Sequence, residues 1–207
     1  MPCAQVANLG VIIDCTLSWD AHVSELSRRC TGLLIGLSHV RHYLPDGVIK
    51  TLVVALVMSR IQYCLSVFGN GSQKNFDRLQ KILNFAARVI FSRRKFDHVS
   101  HLRDQLGCMA PKTMADYHTL VTAHKAIHRG EPEEITTLFS KNSKTRSRST
   151  RQDHLFHLPR PRLESGKRRF AYRAAALLNT LPVELAQLPP ARFARAVKKR
   201  FKLSHDS

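Results

Sequence analysis

The sequence predicts a mainly α fold, a helical bundle with a short N-terminal β-strand or hairpin and a basic helical C-terminal region. Apolar residues recur at spacings of three and four over most of the chain, which is typical of helices that bury one face. One early segment, residues 11–13, instead has the β-branched composition of a short buried strand. Glycine and proline residues separate the segments and mark the turns.

The first helix follows this strand directly. Asp14 ends the strand, and either Ser18 or Asp20 can cap the helix. The apolar positions of the helix, with spacings of 3, 4, 3, 4 and 3, are Val23, Leu26, Cys30, Leu33, Leu37 and Val40. A strand with so few residues before it is expected to lack an upstream partner, so we expect the chain to be the back half of a larger polypeptide.

Two further helices are predicted in the N-terminal half. Residues 48–63 are apolar nearly all round, which indicates a helix buried between other helices. Residues 73–91 have a single apolar stripe. Four basic residues lie off that stripe: Lys74, Arg78, Lys81 and Arg88. The helix is followed by Arg93, Arg94 and Lys95, whose positive charges suit the negative end of the helix dipole.

The remaining chain is predicted to be helical on both sides of a basic linker. Helices are expected at 98–106, 111–129, 131–139, 166–179, 183–188 and 191–203, with a short strand at 155–158. Residues 140–152 contain five Lys or Arg and no large apolar residue, which is typical of a mobile linker. The predicted ranges are a strand region at 1–18, a helical bundle at 19–139, the linker at 140–152 and a basic helical region at 153–207.

The chain has a formal net charge of +18, and most of this charge lies in its last third. Residues 1–139 contain 16 Lys and Arg against 11 Asp and Glu, whereas residues 140–207 contain 17 against 4. Such an excess favours a polyanionic partner, a class that includes RNA, DNA and RNA–DNA hybrids. Binding to ribosomes or anionic membranes, and simple solubility, also explain basic charge and stay open.

Several function classes lack their sequence signals. The five cysteines have neither zinc-site nor redox spacing, so no metal or other cofactor is predicted. The N-terminus lacks the pattern of a secretory signal, and the most apolar stretch, 48–59, is shorter than the roughly 20 residues of a membrane span. We therefore expect an intracellular protein, nuclear or cytoplasmic, that has no membrane partner.

Ten basic residues are the candidate nucleic-acid contacts. They lie on the helix at 73–91, in the linker and beside Phe170: Lys74, Arg78, Lys81, Arg88, Arg146, Arg148, Arg151, Arg168, Arg169 and Arg173. Basic groups neutralise phosphates and release counterions, and an arginine beside an aromatic ring such as Tyr172 can support a stacked base. Plain solvation stays open for the arginines, and nuclear localisation stays open for the patch at 198–202. Core packing is favoured for Phe170.

Short motifs occur in a fixed order along residues 8–203. They are Leu9-Gly10-Val11, Asp14, Leu17-Ser18-Trp19 and His22; Ile61-Gln62-Tyr63-Cys64; Leu79-Gln80-Lys81-Ile82 with Ala86-Ala87-Arg88-Val89-Ile90; Thr150-Arg151; Leu158-Pro159-Arg160; and Phe170-Ala171-Tyr172-Arg173 with Asn179-Thr180-Leu181-Pro182. In this order they resemble the end of the reverse transcriptase region of non-long-terminal-repeat retrotransposons, particularly the arthropod, tick-like type. Phe68 and Leu178 stand where that family usually has tryptophan, which suggests altered packing at both sites.

This resemblance implies that residues 1–18 end a palm-type strand region, that 19–139 form a thumb-like bundle, and that the chain binds the template–primer backbone. A polymerase palm needs aspartates that hold two metal ions. This sequence has no adjacent aspartate pair, and Glu133-Glu134 suits a helix N-terminus instead. We expect a noncatalytic C-terminal fragment of an RNA-directed DNA polymerase, whose missing N-terminal polymerase region is the expected protein partner.

Other interpretations stay open. One is a stand-alone RNA-binding or adaptor module derived from a transposon, and another is an inert transposon relic. A metal-dependent nuclease is the least favoured, because paired histidines such as His124 and His128 have no evident third ligand in the sequence.

Overall fold

The computed structural model describes residues 5–106, 108–145, 153–158 and 160–203. This part of the chain is mainly helical and has a two-stranded antiparallel hairpin near its N-terminal end, which confirms the predicted fold class. Its contacts divide it into two compact units, Met1–Lys112 and Thr113–Ser207, which we call unit 1 and unit 2. None of the described helices combines the length and apolar character that crossing a membrane requires.

The hairpin consists of β1 (Gln5–Asn8) and β2 (Val11–Asp14), with Asn8 opposite Val11. Its two-residue turn has positive φ angles at both positions, 46° at Leu9 and 84° at Gly10. Positive φ at both central residues gives a turn whose twist matches that of the strands. The expectation that β2 lacks an upstream partner is therefore wrong, because so short a turn lets the preceding residues fold back and pair.

One carboxylate organises the link from the hairpin to α1 (Asp20–Val40). Asp14 is buried and accepts hydrogen bonds from the backbone N–H groups of Thr16 (3.1 Å), Ser18 (3.0 Å) and Trp19 (2.9 Å). The hydroxyls of Thr16 and Ser18 donate to it as well. Burial raises the pKa of Asp14, but these hydrogen bonds outweigh burial and hold the pKa well below its usual range. Trp19, rather than Ser18 or Asp20, occupies the N-cap position of α1.

The helix predicted at 48–63 is continuous but not uniform, and the expectation that it is buried all round is wrong, because Val48 and Val54 are exposed while Ile49, Val53 and Val57 face the core. It begins as α2 (Asp46–Val53), passes through a π-helical turn (Val54–Met58) and ends as α3 (Ser59–Gln62). Unit 1 continues with α4 (Leu65–Phe68), α5 (Gln73–Ile90) and α6 (Ser100–Gln105). Its fully buried side chains include Leu34, Ile49, Ile61, Leu65 and Leu79. Phe68 is buried with its ring centroid 4.7 Å from that of His22, so an aromatic pair fills this position without a tryptophan.

The helices that follow are α7 (Pro111–Arg129), α8 (Glu133–Thr136), α9 (Asn142–Thr145), α10 (Glu164–Lys167), α11 (Phe170–Asn179), α12 (Val183–Ala186) and α13 (Pro190–Leu203). The core of unit 2 joins α7, α11 and α13 through Leu120, Ala123, Ala174, Leu178, Phe193 and Val197. Phe170 packs against this core, as predicted. Because the core contains residues of α7, the predicted bundle range 19–139 spans the border between the two units.

The part of the predicted linker that the structure describes, 140–145, is folded. The N–H of Asn142 donates to the carbonyl of Leu155 at 2.9 Å, and the N–H of His157 donates to the carbonyl of Ser140 at 2.7 Å. Lys141 and Phe156 form an antiparallel bridge, which takes the place of the short strand predicted at 155–158. Backbone pairing thus orders polar residues whose composition alone predicts a mobile segment.

Candidate nucleic-acid interface

Four of the predicted contacts lie on one side of α5. The four are Lys74, Arg78, Lys81 and Arg88, and their spacings of 4, 3 and 7 place them in a stripe about 80° wide. Phe85 falls within the same stripe. The other side of α5 is buried through Leu79, Ile82, Leu83 and Ala86. Burial of that side turns the basic stripe outward.

Helix α1 runs beside this stripe and parallel to α5. Near the start of both helices, Nη1 of Arg78 donates to Oγ of Ser24 at 2.6 Å. Just after the end of α1, Nε of Arg41 donates to the carbonyl of Val89 at 3.1 Å. One contact therefore joins the first turns of the two helices and the other joins their final parts, which makes the helices parallel. A groove lies between them.

This α1–α5 groove has a volume of about 870 Å³ and a basic lining without acidic residues. Four of its twelve lining residues are Lys or Arg: Arg41, Arg88, Arg93 and Lys95. Its apolar residues are Ile35, Phe85, Val89 and Phe96. A concave surface with charges of one sign and apolar walls concentrates the field that attracts an oppositely charged ligand, here an anion.

Arg41 has two functions in unit 1, and sequence reasoning missed it. Besides lining the groove, its guanidinium donates to the carbonyls of Val89 and Ile90, each at 3.1 Å, and pairs with Asp46. Both carbonyls belong to the last turn of α5, where a helix leaves acceptors unpaired and its dipole is negative. The contact joins residues 48 and 49 positions apart, so no local pattern in the sequence signals it.

Arg88 holds the segment that follows α5. The N–H of Arg93 donates to the carbonyl of Arg88 at 2.9 Å while Ser92 has a φ of 52°, a helix end of the Schellman type. The side chain of Arg88 donates from Nη2 to the carbonyl of Asp97 at 3.0 Å. Arg88 is half-buried and lines the groove, so it orders residues 91–97 in addition to contributing charge.

In unit 2, two predicted contacts lie at an open basic surface. Arg168 and Arg169 are both exposed. Arg169 lines a concavity of about 510 Å³, whose other basic and aromatic residues are Arg160, Arg162 and Tyr172. Arginine beside an aromatic ring is a combination that binds unpaired bases, so this concavity is a second candidate surface.

Arg173, another predicted contact, makes an ion pair within unit 2. Its side chain is only 16% exposed, and its Nη2 lies 3.1 Å from Oδ1 of Asp116. The ion pair braces α11 against α7, so the guanidinium of Arg173 is engaged inside unit 2. The three predicted contacts of the linker, Arg146, Arg148 and Arg151, lie outside the described residues.

Histidine and acidic side chains are the groups that would hold a metal ion. In the described ranges no group of three or more His, Cys, Asp or Glu residues is placed to hold a metal ion. His124 is buried, its ring stacks on Phe193 at 3.7 Å between centroids, and its Nε2 donates to the carbonyl of Ala186 at 3.0 Å. Burial lowers the pKa of His124, which favours a neutral core residue. Glu133 and Glu134 begin α8.

Comparisons of this chain with protein-family models, curated proteins and solved structures give no match.

Proposed function

We propose that this chain is a noncatalytic, thumb-like C-terminal segment of a retrotransposon RNA-directed DNA polymerase, and that it binds the backbone of a template–primer duplex along the α1–α5 groove. The observation that carries the proposal is the basic stripe of α5, whose last member, Arg88, also lines a groove without acidic residues. The order of the sequence motifs supplies the family part of the proposal.

The dimensions of the stripe suit a nucleic-acid backbone. From Lys74 to Arg88 the helix advances about 21 Å at 1.5 Å per residue. Over that axial length one strand of a B-form duplex carries about six phosphates. Lys74 and Lys81 are exposed and free of protein contacts among those described, so they can reach phosphates without first breaking an ion pair. Such contacts position a duplex and carry no sequence information.

The test compares two double variants that remove the same charge. Lys74→Ala/Lys81→Ala removes the outer lysines of the stripe, whereas Lys198→Ala/Lys199→Ala removes two exposed lysines of α13 in unit 2. Binding of a blunt RNA–DNA hybrid is measured by fluorescence anisotropy over a range of salt concentrations. We expect the stripe variant to lower the slope of log affinity against log salt by about 2, and the α13 variant to change it by much less.

Two outcomes would contradict the proposal. Binding that is independent of ionic strength would show that the protein makes no phosphate contacts. A larger loss in the α13 variant than in the stripe variant would favour the stand-alone RNA-binding module, because the contacts would then lie in unit 2.

A further inference from the structure

We infer that the end of the α1–α5 groove near Phe96 is a binding site for an unpaired nucleotide, whose base stacks on the Phe96 ring. The inference rests on the proposed function, since it assigns a ligand class to one part of the same groove. It goes further in one respect, because a duplex backbone requires charge alone, whereas this part of the groove also offers apolar and aromatic surface.

The setting of Phe96 is unusual for an exposed phenylalanine. Its side chain is 88% exposed, although the ring has no polar group to hydrate. Exposed apolar residues are common when they stand singly, so exposure alone has little meaning. Here Nζ of Lys95 lies 5.4 Å from the ring centroid, and both residues line the groove beside Arg93. A ring flanked by cations is the arrangement that proteins use to stack bases along a single strand.

The groove has an apolar part and a polar part, and a nucleotide likewise has a flat base and a polar sugar and phosphate. Ile35, Phe85 and Val89 provide apolar surface, while hydroxyls of Thr31 and Ser38 and the basic side chains provide polar groups. The volume of about 870 Å³ lies within the range of small-molecule sites, which is about 300–1,000 Å³. A paired base is held inside its duplex and cannot reach these walls, whereas an unpaired base can leave the stack and enter.

The backbone around Phe96 is held by hydrogen bonds to Asp97. Asp97 is held from two sides, since its carbonyl accepts from Arg88 at 3.0 Å and its Oδ2 accepts from the N–H of Arg94 at 2.9 Å. Phe96 lies between these anchored residues. A segment whose backbone is already anchored loses less conformational entropy on binding, which favours affinity for a ligand.

The experiment measures the affinity for a blunt RNA–DNA hybrid and for the same hybrid with a short single-stranded extension that contains a fluorescent base analogue. We expect the wild-type protein to bind the extended hybrid about tenfold more tightly, as one stacked base provides. Phe96→Ala should abolish this preference, so that the variant binds the two hybrids with equal affinity, and Phe96→Trp should restore it. Tyr43→Ala is the matched control, because Tyr43 is 86% exposed and does not line the groove.

The outcomes separate this inference from the proposed function. Salt-sensitive binding of the blunt hybrid that depends on Lys74 and Lys81, without any preference for the extension, would overturn the nucleotide site and keep the backbone interface. Absence of salt-sensitive binding to either hybrid would overturn both. A preference for the extension that persists in Phe96→Ala, or tighter binding of an acidic peptide that depends on Phe96, would also overturn the nucleotide site.

Discussion

Unit 1 has 14 Lys and Arg against 7 Asp and Glu, whereas unit 2 has 19 against 8, so unit 2 has the larger net charge. Unit 1 nevertheless has the more regular arrangement of basic residues. In unit 1 four basic residues follow one side of α5, and the last of them, Arg88, lines a groove of about 870 Å³ that has three further basic residues and no acidic one. In unit 2 the concavity beside Arg169 is smaller, about 510 Å³, and Arg173 is committed to an ion pair. Net charge therefore favours unit 2 as the proposed binding surface, whereas the placement of charge on helices favours unit 1.

Arg41 in unit 1 and Arg173 in unit 2 can be compared in the same way. The side chains of Arg41 and Arg173 have nearly equal exposure, 14% and 16%. Arg41 donates from all three guanidinium nitrogens, to the carbonyls of Leu44, Val89 and Ile90 and to the carboxylate of Asp46, and it still lines the groove. Arg173 faces the carboxylate of Asp116 inside unit 2. A half-buried arginine can thus serve the fold alone, or the fold and the surface together.

The largest effects are expected from replacing these two arginines by methionine, which keeps the length of the side chain. Arg41→Met should lower the free energy of unfolding by about 3 kcal/mol, because two buried carbonyl acceptors lose a charged donor. It should also weaken binding of the blunt hybrid about tenfold. Arg173→Met should cost about 2 kcal/mol, less than a fully buried pair, because Asp116 keeps some contact with water.

Urea unfolding followed by circular dichroism gives the stabilities, and anisotropy gives the affinities. We expect the affinity of Arg173→Met for the hybrid to stay within twofold of the wild-type value, about 0.4 kcal/mol. If instead the two variants weaken binding equally, the distinction between a surface arginine and a bracing arginine is wrong.

A smaller effect is expected at Asp14, which belongs to unit 1 only. Asp14→Asn should lower the free energy of unfolding by about 2 kcal/mol at neutral pH. The amide nitrogen of asparagine cannot accept the hydrogen bonds that N–H and O–H groups donate to the carboxylate of Asp14. The folded pKa of Asp14 lies below its ordinary value. Its contribution is therefore complete above about pH 4, near the pKa of an unfolded aspartate, and is lost as the pH falls through the lower folded pKa.

The measurement for Asp14 uses the single tryptophan of the chain. Trp19 is buried in unit 1, so its fluorescence reports the unfolding of that unit. The difference in stability between wild type and Asp14→Asn should shrink as the pH is lowered below about 4. Asp77→Asn, at an exposed position of α5, serves as the control and should show little change. An unchanged difference at acidic pH would mean that the charge of Asp14 does not stabilise unit 1.

Sequence reasoning succeeded where the information is local and periodic. The apolar stripe of residues 73–91 predicts α5 and correctly leaves Lys74 and Lys81 on the exposed side. It failed where a contact joins distant residues. The groove depends on α1 lying parallel to α5, and the ion pair of Arg173 depends on α11 meeting α7. Neither packing arrangement leaves a pattern within one helix, so an exposed and an internal arginine look alike in the sequence.

The hairpin shows a different reason for failure. A two-residue turn with positive φ at both positions favours asparagine or aspartate followed by glycine, and this chain has Leu9 before Gly10. Leucine disfavours the left-handed conformation because of its Cβ atom, so the turn lacks half of its usual signal. The pairing of β1 with β2 supports the turn despite that local cost.

The smallest expected effect follows from this local conflict. Leu9→Asn should raise the free energy of unfolding of unit 1 by about 0.5–1 kcal/mol, because asparagine tolerates positive φ and the leucine side chain is 83% exposed, so little packing is lost. The hydrogen bond from Oη of Tyr63 to the carbonyl of Leu9, 2.9 Å long, uses only the backbone and should persist. Urea unfolding followed by Trp19 fluorescence measures the gain.

Leu9→Val is the opposing control and should destabilise unit 1, since a β-branched residue fits positive φ worse than leucine does. Equal stability of the two variants would mean that the hairpin turn contributes nothing to unit 1, and that its stability rests on the packing of α1 and α5 alone.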